Sequence, residues 1–384
     1  MLHACGQPYA PPSRSPDLQA LLGHVNEKGF ARATQPRAFH FPADFGPHDR
    51  YRSEWWYYTG TLRDASGRRF GFELTFFRFA LSPNKPPGAS PWISNQIYMA
   101  DFALTDPKDR RFFAWQRFSR DALHLAGAQA QPFEVWVGDW SIRHVNERWG
   151  PANGGEGVNA PCAIEGVCTA FPWVLRAQTQ TASLRLELTP RQGIVLNGER
   201  GLSQKGPAAG DASYYYSMPR LDAHGELRIE GKRFYISGEV WFDREWSTSA
   251  LAANQVGWDW FALRLADGSD LMFYRLRDRN GRTDPHSAGT WVSPQGEVIH
   301  LRADEVSLKP LGFWTDPQGR RYPVRWLLRV PSLGLALEIQ PWMRNQGLNL
   351  AIPYWEGAVS VTGKRGKRSE RGTGYLELTG YGRR

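Results

Sequence analysis

One stretch of the chain, Trp241–Trp260, combines acids, an arginine and several indole rings: it contains Trp-Phe-Asp-Arg-Glu-Trp and, further on, Trp-Asp-Trp. A carboxyl held against an indole ring is poorly solvated, so its pKa tends to rise and it can donate a proton near neutral pH. We therefore predict Asp243, Glu245 and Asp259 as candidate catalytic acids. Arg244 is expected to set their charge state. In the alternative interpretation, Arg244 pairs with Asp243 or Glu245 beneath aromatic cover and the stretch is purely structural.

Aromatic rings accompany acids at several other points. On a β-strand, Glu54, Trp56 and Tyr58 would share one face, and Trp55 and Tyr57 would share the other. Indole and phenol rings with a few polar groups suit a pocket for a long apolar or polyene ligand, and they also suit a sugar site. The alternative is that they are large core residues of a barrel. The predicted ligand-binding residues are Glu54, Trp56, Tyr58, Tyr215, Trp246, Trp258, Trp260, Tyr274, Trp355 and Glu356.

The sequence lacks the motifs of several common enzyme classes. It contains no G-x-S-x-G elbow, no P-loop, no H-E-x-x-H and no G-x-G-x-x-G. His40, His48 and Asp49 lie close together in a Pro-rich segment, where solvated polar residues are expected rather than metal ligands. We therefore predict neither a metal site nor a cofactor.

The chain is basic, with a formal net charge of +9 and a pI near 9.5. Such a charge suits nucleic acid, an anionic membrane face or an acidic ligand. The basic residues are spread through predicted loops, and the dense run Lys364–Arg368 lies between two strand-like segments, as in a solvated hairpin loop. No recognition helix, zinc-knuckle spacing or RNP-like strand accompanies it, so we predict no nucleic-acid partner.

The hydrophobic pattern predicts antiparallel β-structure. Apolar and polar residues alternate in Leu184–Leu188, Leu335–Ile339 and Tyr375–Leu378, and turn signals such as Asp267-Gly268 separate the strand segments. The composition agrees, with 13% aromatic residues, 39 Gly and 27 Pro. We predict an all-β fold of closed or sandwiched sheets.

The length predicts two domains, because 384 residues exceed the usual size of one hydrophobic core. Apolar residues at helical spacing from Leu18 predict a short N-terminal helix that ends near Gly29. The Gly- and Pro-containing stretch Lys205–Asp211 separates two series of strands and is the predicted junction. The expected organisation is a tail and helix over residues 1–38, a first barrel over 39–210 and a second barrel over 211–384.

The three cysteines bear on the cellular compartment. Cys162 and Cys168 bracket a short loop that could close as a disulfide under oxidising conditions. Cys5 follows a small residue, as in the tail of a bacterial lipoprotein signal whose charged and apolar parts would lie upstream. The alternative for Cys5 is an ordinary cysteine in an unstructured terminus. We expect an envelope location, either periplasmic or anchored to the outer membrane through a lipid on Cys5.

Six strings carry a family resemblance: Glu54–Gly60, Gln96–Asp106, Gly201–Gly206, Asp243–Ser249, Gly257–Trp260 and Tyr354–Ala358. They resemble the AttH-like proteins, which are lipocalin-like bacterial proteins often labelled predicted secreted hydrolases and related to carotenoid 1,2-hydratase, also called hydroxyneurosporene synthase. The resemblance runs from about residue 39 to the C-terminus. It implies two tandem lipocalin-like β-barrels, export or lipid anchoring, and components of an ABC exporter as partners.

For the hydratase relatives, the resemblance implies acid catalysis: a carboxylic acid protonates a terminal alkene, a carbocation forms between aromatic faces, and water adds. Those enzymes are expected to carry a His and a Trp two residues apart, followed by Tyr-x-Asp. The matching positions here are Arg244 with Trp246, and Tyr274 with Leu276. Since the His and the acid are both replaced, the acids of Trp241–Trp260 are the candidates for proton donation.

Three functions are compatible with the sequence. The first is a protein that binds an apolar or amphipathic small molecule, at the interface of the barrels or in the mouth of the second one, with cofactor-independent hydratase or hydrolase-like chemistry. The second is a non-catalytic carrier that hands lipid or lipopeptide to an ABC exporter. The third is a sugar-active protein, which two carboxyls across an open groove would favour, whereas a closed and mostly apolar cavity would favour the first two.

Overall fold

The computed structural model describes residues 27–85, 87–88, 90–146, 167 and 170–382. The predicted N-terminal helix up to residue 26, Cys5, Cys162 and Cys168 lie outside these residues. Short 3-10 turns occur at Ala43–Phe45, Ala122–His124, Ala303–Glu305 and Pro331–Leu333. The part of the chain described by the structure has no helix that is long and apolar enough to cross a membrane.

The first sheet contains 13 strands within the described residues. They are β1 Ser53–Asp64, β2 Arg69–Ala80, β3 Gln96–Asp106, β4 Arg111–Arg120, β5 Ala126–Ala130, β6 Phe133–Val137, β7 Trp140–His144, β8 Trp173–Gln178, β9 Ala182–Pro190, β10 Val195–Leu196, β11 Leu202–Gln204, β12 Ala212–Ile229 and β13 Lys232–Ser247. Their order is β4-β3-β2-β1-β13-β12-β9-β8-β7-β6-β5, and β10 and β11 add to β12. The pairs are antiparallel.

The second sheet contains ten strands within the described part of the chain. They are β14 Gln255–Leu265, β15 Asp270–Asp278, β16 Ala288–Val292, β17 Val298–Arg302, β18 Ser307–Thr315, β19 Arg321–Val330, β20 Leu335–Pro341, β21 Gly347–Leu348, β22 Tyr354–Arg365 and β23 Arg368–Leu378. Their order is β17-β16-β15-β14-β23-β22-β20-β19-β18, with β21 paired to β22. The all-β prediction is confirmed, and the two sheets form tandem lipocalin-like barrels.

The junction between the barrels lies later than the sequence suggested. Strands β12 and β13, which follow the expected boundary at residue 211, pair with β9 and β1 and complete the first sheet. The chain changes sheets between Ser247 and Gln255. Gly206–Gly210, read as a linker, is instead a tight turn between the paired strands β11 and β12, closed by hydrogen bonds from Lys205 and Gly206 to the carbonyl of Asp211. A turn within a sheet and a linker between domains have the same amino-acid composition, so only the strand pairing shows which of the two this segment is.

Each barrel encloses its own core, and the barrels meet through their outer faces. Trp56 and Tyr58 lie in the first core, and Trp355 lies in the second. A third apolar cluster forms where β1, β2, β12 and β13 face β14, β15, β22 and β23. The approach is close: a Cβ on Gly71 would lie 2.8 Å from the Cβ of Ala358. The barrels therefore approach each other so closely at Gly71 that a side chain at this position would have no room.

Candidate active site

A cavity of about 80 Å³ lies in the third apolar cluster, between the two barrels. Ligand sites for whole drug-sized molecules are larger, roughly 300–1,000 Å³. The cavity therefore has room for the reacting end of a ligand with a few waters, and not for a whole polyene. Its walls are formed by Trp55, Tyr57, Phe77, Lys205, Tyr215, Asp243, Glu245, Ala250, Trp258, Trp260, Tyr274, Leu276 and Glu377.

Asp243 on β13 points into this cavity. Its Oδ1 accepts hydrogen bonds from the hydroxyl of Ser217 at 2.6 Å and from the indole Nε1 of Trp241 at 2.7 Å. Its Oδ2 accepts a hydrogen bond from the hydroxyl of Tyr215 at 2.6 Å, and that hydroxyl accepts one from Nε1 of Trp260 at 3.1 Å. These neutral donors fix the orientation of the carboxyl without supplying positive charge.

The environment of Asp243 favours a carboxyl that holds a proton. Burial raises the pKa of Asp243 from 3.8 to about 7, and the hydrogen bonds from Ser217, Tyr215 and Trp241 only partly oppose this effect. No ion pair in the described residues involves this carboxyl. A general acid works best with a pKa near the working pH, so Asp243 has the protonation state that proton donation requires.

Glu245 lies two residues further along β13, on the same wall of the cavity. Its carboxyl has a cationic partner, whereas that of Asp243 has only neutral ones. Its Oε1 lies 3.2 Å from Nζ of Lys205 and accepts a hydrogen bond from the hydroxyl of Ser213. Burial alone lowers the pKa of Lys205, but Glu245 and Tyr274 reverse this effect and raise it. The ammonium also lies 3.7 Å from the ring centroid of Tyr274. Lys205 is thus a charged partner for Glu245 and not a free amine nucleophile.

We expect Lys205→Met to lower the free energy of unfolding by about 3–5 kcal/mol, because it leaves Glu245 as a buried charge without a partner. The double variant Lys205→Met/Glu245→Gln should recover most of this loss, since no charge is left unpaired. Urea unfolding at pH 7 of both variants, with Glu245→Gln as the matched control, measures the coupling. If Lys205→Met lowers the free energy of unfolding equally in the wild type and in Glu245→Gln, Lys205 is not the charge partner of Glu245.

Glu377 on β23 brings an acid to the cavity from the second barrel. Burial raises the pKa of Glu377 from 4.5 to about 8, a hydrogen bond with Trp258 opposes this, and Asp243 and Glu245 add to it. The cavity thus holds three carboxyls and the single ammonium of Lys205. Since like charges this close disfavour joint ionisation, at least one of the three carboxyls keeps a proton near neutral pH.

Arg244 lies on the opposite face of β13, inside the first barrel. Its guanidinium forms a buried ion pair with Glu54, donates to the carbonyl of Gly46 at 2.6 Å, and lies 3.9 Å from the ring centroid of Trp56. Burial by itself raises the pKa of Glu54, but Arg78 and Arg244 hold it well below its usual value. Arg244 therefore does not set the charge state of Asp243. Among the described residues its guanidinium forms no ion pair with the carboxyl of Asp243 or Glu245, and it contacts Glu245 only at the backbone carbonyl, at 3.1 Å.

Asp259 also lies outside the cavity, because it faces the interior of the second barrel. Its Oδ1 lies 3.2 Å from Nε of Arg277 and accepts a hydrogen bond from the hydroxyl of Tyr381 at 2.7 Å. Its Oδ2 accepts a hydrogen bond from Nε of Arg275 at 2.6 Å. Two arginines neutralise this carboxyl, which suits it to a structural role rather than to proton donation.

The predicted ligand-binding residues divide between the cavity and the cores. Tyr215, Trp258, Trp260 and Tyr274 line the cavity. Glu54, Trp56, Tyr58, Trp246 and Trp355 lie within the barrels instead. The sequence predicted correctly which residues of β1 share a face. The ligand-binding prediction used the face of Trp56, but the cavity is lined by the other face, with Trp55 and Tyr57. Glu356 lies behind the cavity wall, where it accepts a hydrogen bond from the hydroxyl of Tyr57.

Several cavity residues were missed by the sequence analysis. Lys205 belongs to Gly201–Gly206, a string that carried the family resemblance, and Glu377 is the polar position of the alternating segment Tyr375–Leu378. Both signals were present, but neither segment is near β13 in sequence. Only the pairing of β11 with β12 and of β14 with β23 brings them to Asp243 and Glu245.

The geometry defines a two-barrel lipocalin-like protein with a small acidic cavity between the barrels. The family model of the AttH-like proteins matches residues 32–381, so the chain belongs to the AttH-like family. The crystal structure of an AttH-like protein from Nitrosomonas europaea is 32% identical, covers 92% of this chain and 100% of its own, and superposes with a TM-score of 0.76.

Two further relatives are more distant. Kievitone hydratase from Nectria haematococca has the same fold, with a TM-score of 0.66, 15% identity and coverage of 94% of this chain and 98% of its own. The dehydratase asqC of Emericella nidulans is 21% identical over 235 residues, which are 58% of this chain. The matched region spans 66% of that dehydratase, just under two thirds of its length.

Proposed function

We propose that the protein is a cofactor-independent hydratase or dehydratase whose apolar or amphipathic substrate places its reacting end in the cavity between the barrels. The observation that carries this proposal is Asp243, a buried carboxyl with a pKa of about 7 that faces an aromatic cavity. The names of two relatives, a kievitone hydratase and a dehydratase, support the reaction class.

Asp243 and Glu245 together supply the two proton transfers that hydration needs. In the forward direction, the O–H bond of Asp243 breaks as a C–H bond forms on the alkene, which leaves a carbocation. The oxygen of a water molecule then forms a C–O bond with this cation, and a proton of that water passes to Glu245. Dehydration is the same sequence in reverse, with Glu245 returning the proton and Asp243 accepting one.

The positions of the two carboxyls suit this division of roles. They lie two residues apart on one face of β13, which places their attachment points about 7 Å apart. That separation leaves room for a substrate carbon and a water between them. The face of Tyr274 and the indoles of Trp258 and Trp260 border the same space, and aromatic faces stabilise a developing cation. The partners of the two acids also differ, because Asp243 is held by neutral donors whereas Glu245 faces the ammonium of Lys205.

A carrier of whole lipids or lipopeptides fits this cavity less well. A volume of about 80 Å³ is several times below that of sites which enclose a drug-sized ligand. A sugar-active site also fits less well, because this volume does not hold a sugar chain. The mostly aromatic walls further favour an apolar substrate over a sugar chain.

The test is incubation of the purified protein in H₂¹⁸O with kievitone and with acyclic terpenoid alkenes, followed by mass spectrometry. We expect one probe to gain the mass of one H₂¹⁸O, with the label at a tertiary carbon. The corresponding tertiary alcohols, supplied in ordinary water, should lose water. If no probe gains or loses water, while the same probes bind in equilibrium dialysis, the protein is a carrier and the proposal fails.

A further inference from the structure

The outer face of β2 runs from the interface between the barrels to the surface of the protein. Glu73, Thr75, Phe77 and Phe79 share this face, because side chains two residues apart on a strand point the same way. Glu73 and Thr75 are buried, and the hydroxyl of Tyr354 in the second barrel lies 3.3 Å from Oε1 of Glu73. Phe77 and Phe79 are half-exposed. The face is therefore covered as far as Thr75, and beyond this point it is covered only in part.

Leu81 continues the same face beyond the end of β2. Its backbone N–H donates a hydrogen bond to the carbonyl of Asn95 at 2.8 Å, which extends the register of β2 and β3 by one pair. Leu81 therefore follows Phe79 with the alternation of a strand, and it is 61% exposed. Trp92, three residues before Asn95, is 65% exposed. The exposure of this face thus increases steadily away from the interface.

Neighbouring strands widen this line of side chains into an apolar strip, which consists of Trp55, Phe77, Phe79, Leu81 and Ile97. Trp55 pairs with Phe77 across β1 and β2, and Ile97 pairs with Phe79 across β2 and β3. The rings of Phe77 and Phe79 are stacked, with centroids 6.2 Å apart and an angle of 9° between their planes. Contiguous apolar side chains that solvent reaches are typical of binding surfaces.

The apolar strip is continuous with the cavity, because Trp55 and Phe77 belong to both. The cavity of about 80 Å³ holds only the reacting end of a substrate, so the rest of a larger molecule lies outside it. An apolar tail left in water gains no free energy from binding, whereas a tail laid on an apolar surface does. The strip offers such a surface, and it begins at the cavity wall.

A second direction, across the strands toward β4, is interrupted. Phe118 on β4 is 57% exposed and lies in the same paired row as Phe77. Met99 lies between them, but it is only 2% exposed, and its sulfur lies 3.4 Å from Nε2 of Gln116. Since the exposed apolar surface is broken at Met99, the continuous path from the cavity leads along β2 to Leu81.

We propose that the apolar strip is a subsite for the unreactive tail of the substrate, which lies along β2 from Phe77 to Leu81. This inference rests on the proposed function, and it narrows the substrate to an elongated apolar chain whose reacting group is at one end. Phe77 and Leu81 are four residues apart, so the subsite is about 14 Å long. All five side chains of the strip are apolar, so it recognises the length of the tail rather than a polar head group.

The first test measures binding without turnover, by equilibrium dialysis of the saturated analogues of prenol, geraniol and farnesol. Their Kd should fall roughly tenfold with each isoprene unit that the strip buries. Leu81→Ser should weaken binding of the farnesol analogue roughly fivefold and leave binding of the prenol analogue unchanged.

Two controls locate this effect. Leu311→Ser replaces a leucine of the second barrel that is 38% exposed on β18, and Phe118→Ser removes the ring beyond the interruption at Met99. Neither should change any Kd. A Kd that does not depend on tail length, or an equal effect of Leu81→Ser and either control, would overturn the subsite. The same holds if the wild type is a dimer, Leu81→Ser is a monomer and tail length has no effect, because the strip then binds a second copy of the chain.

The second test uses turnover of prenol, geraniol and farnesol in the H₂¹⁸O assay. Leu81→Ser should lower kcat/KM for farnesol roughly fivefold and leave that for prenol unchanged, because only the longer tail reaches this side chain. If the saturated analogues bind as expected but none of the three alkenes gains water, the proposed function fails and the subsite stands. If farnesol gains water with the same kcat/KM in the wild type and in Leu81→Ser, the subsite fails and the proposed function stands.

Discussion

Asp243→Asn is expected to reduce hydration or dehydration by a factor of about 10²–10⁴, the usual contribution of a positioned general acid. The substitution keeps an oxygen that accepts from Ser217 and Trp241, but it removes the only proton that this side chain can give. The fold should survive. The folded-state pKa of this carboxyl is raised, so it destabilises the fold as pH rises toward about 7, and removing it should leave stability at pH 8 unchanged or higher.

The assay is mass spectrometry of the product formed in H₂¹⁸O, combined with thermal unfolding of each variant. Glu187→Gln is the matched control, because Glu187 is a buried carboxyl of the first barrel that does not line the cavity. It should retain turnover. A loss of turnover in Asp243→Asn that is matched by Glu187→Gln, or accompanied by a collapse of the unfolding transition, would speak against an acid role for Asp243.

The second large effect is a gain in stability with rising pH when Asp101 is replaced by asparagine. Burial raises the pKa of Asp101 from 3.8 to about 7, with hydrogen bonds from Gln116 and Tyr354 opposing the shift. A carboxyl with a raised folded-state pKa contributes its stability below the unfolded pKa and loses it as pH rises through the folded pKa. The rise of this pKa from 3.8 to about 7 corresponds to about 4 kcal/mol at pH 8 and above.

The quantity to measure is the free energy of unfolding of Asp101→Asn minus that of the wild type, by urea titration from pH 4 to pH 9. We expect this difference to rise steadily between about pH 4 and pH 7 and then to level off. Asp106→Asn is the control, since Asp106 is equally buried but paired with Arg68 and Arg111. That variant should lose stability at neutral pH. A flat difference curve for Asp101→Asn would show that this carboxyl ionises freely in the folded protein.

The sequence indicated a large part of the architecture. The alternation of apolar and polar residues in Leu184–Leu188, Leu335–Ile339 and Tyr375–Leu378 predicted strands that the structure contains. Side chains alternate on a strand with a period of two, so this pattern is local and survives any tertiary arrangement. The junction between the barrels did not follow from such a pattern, because a turn and a linker share the same Gly- and Pro-rich composition.

The candidate site was predicted only in part. The sequence selected Asp243 and Glu245, and both line the cavity. It also selected Asp259 and Arg244, which lie outside the cavity with partners of their own. Adjacent residues of a strand point in opposite directions, so a dense run of acids and rings cannot all face one site. Lys205 was missed because the charge partner of Glu245 comes from the turn between β11 and β12, far from β13 in sequence.

The sequence by itself determined which residues of β1 and β13 share a face, and it supplied the acids and aromatic rings. Only the tertiary structure decided which of the two faces became the site. The outer face of the first barrel would ordinarily meet water, and it becomes one wall of a cavity because β14, β15 and β23 pack against it. That packing removes water from Asp243 and raises its pKa. Asp243 is therefore able to hold a proton near neutral pH because the two barrels pack together. Its desolvation depends on the residues across the interface and not on the local sequence.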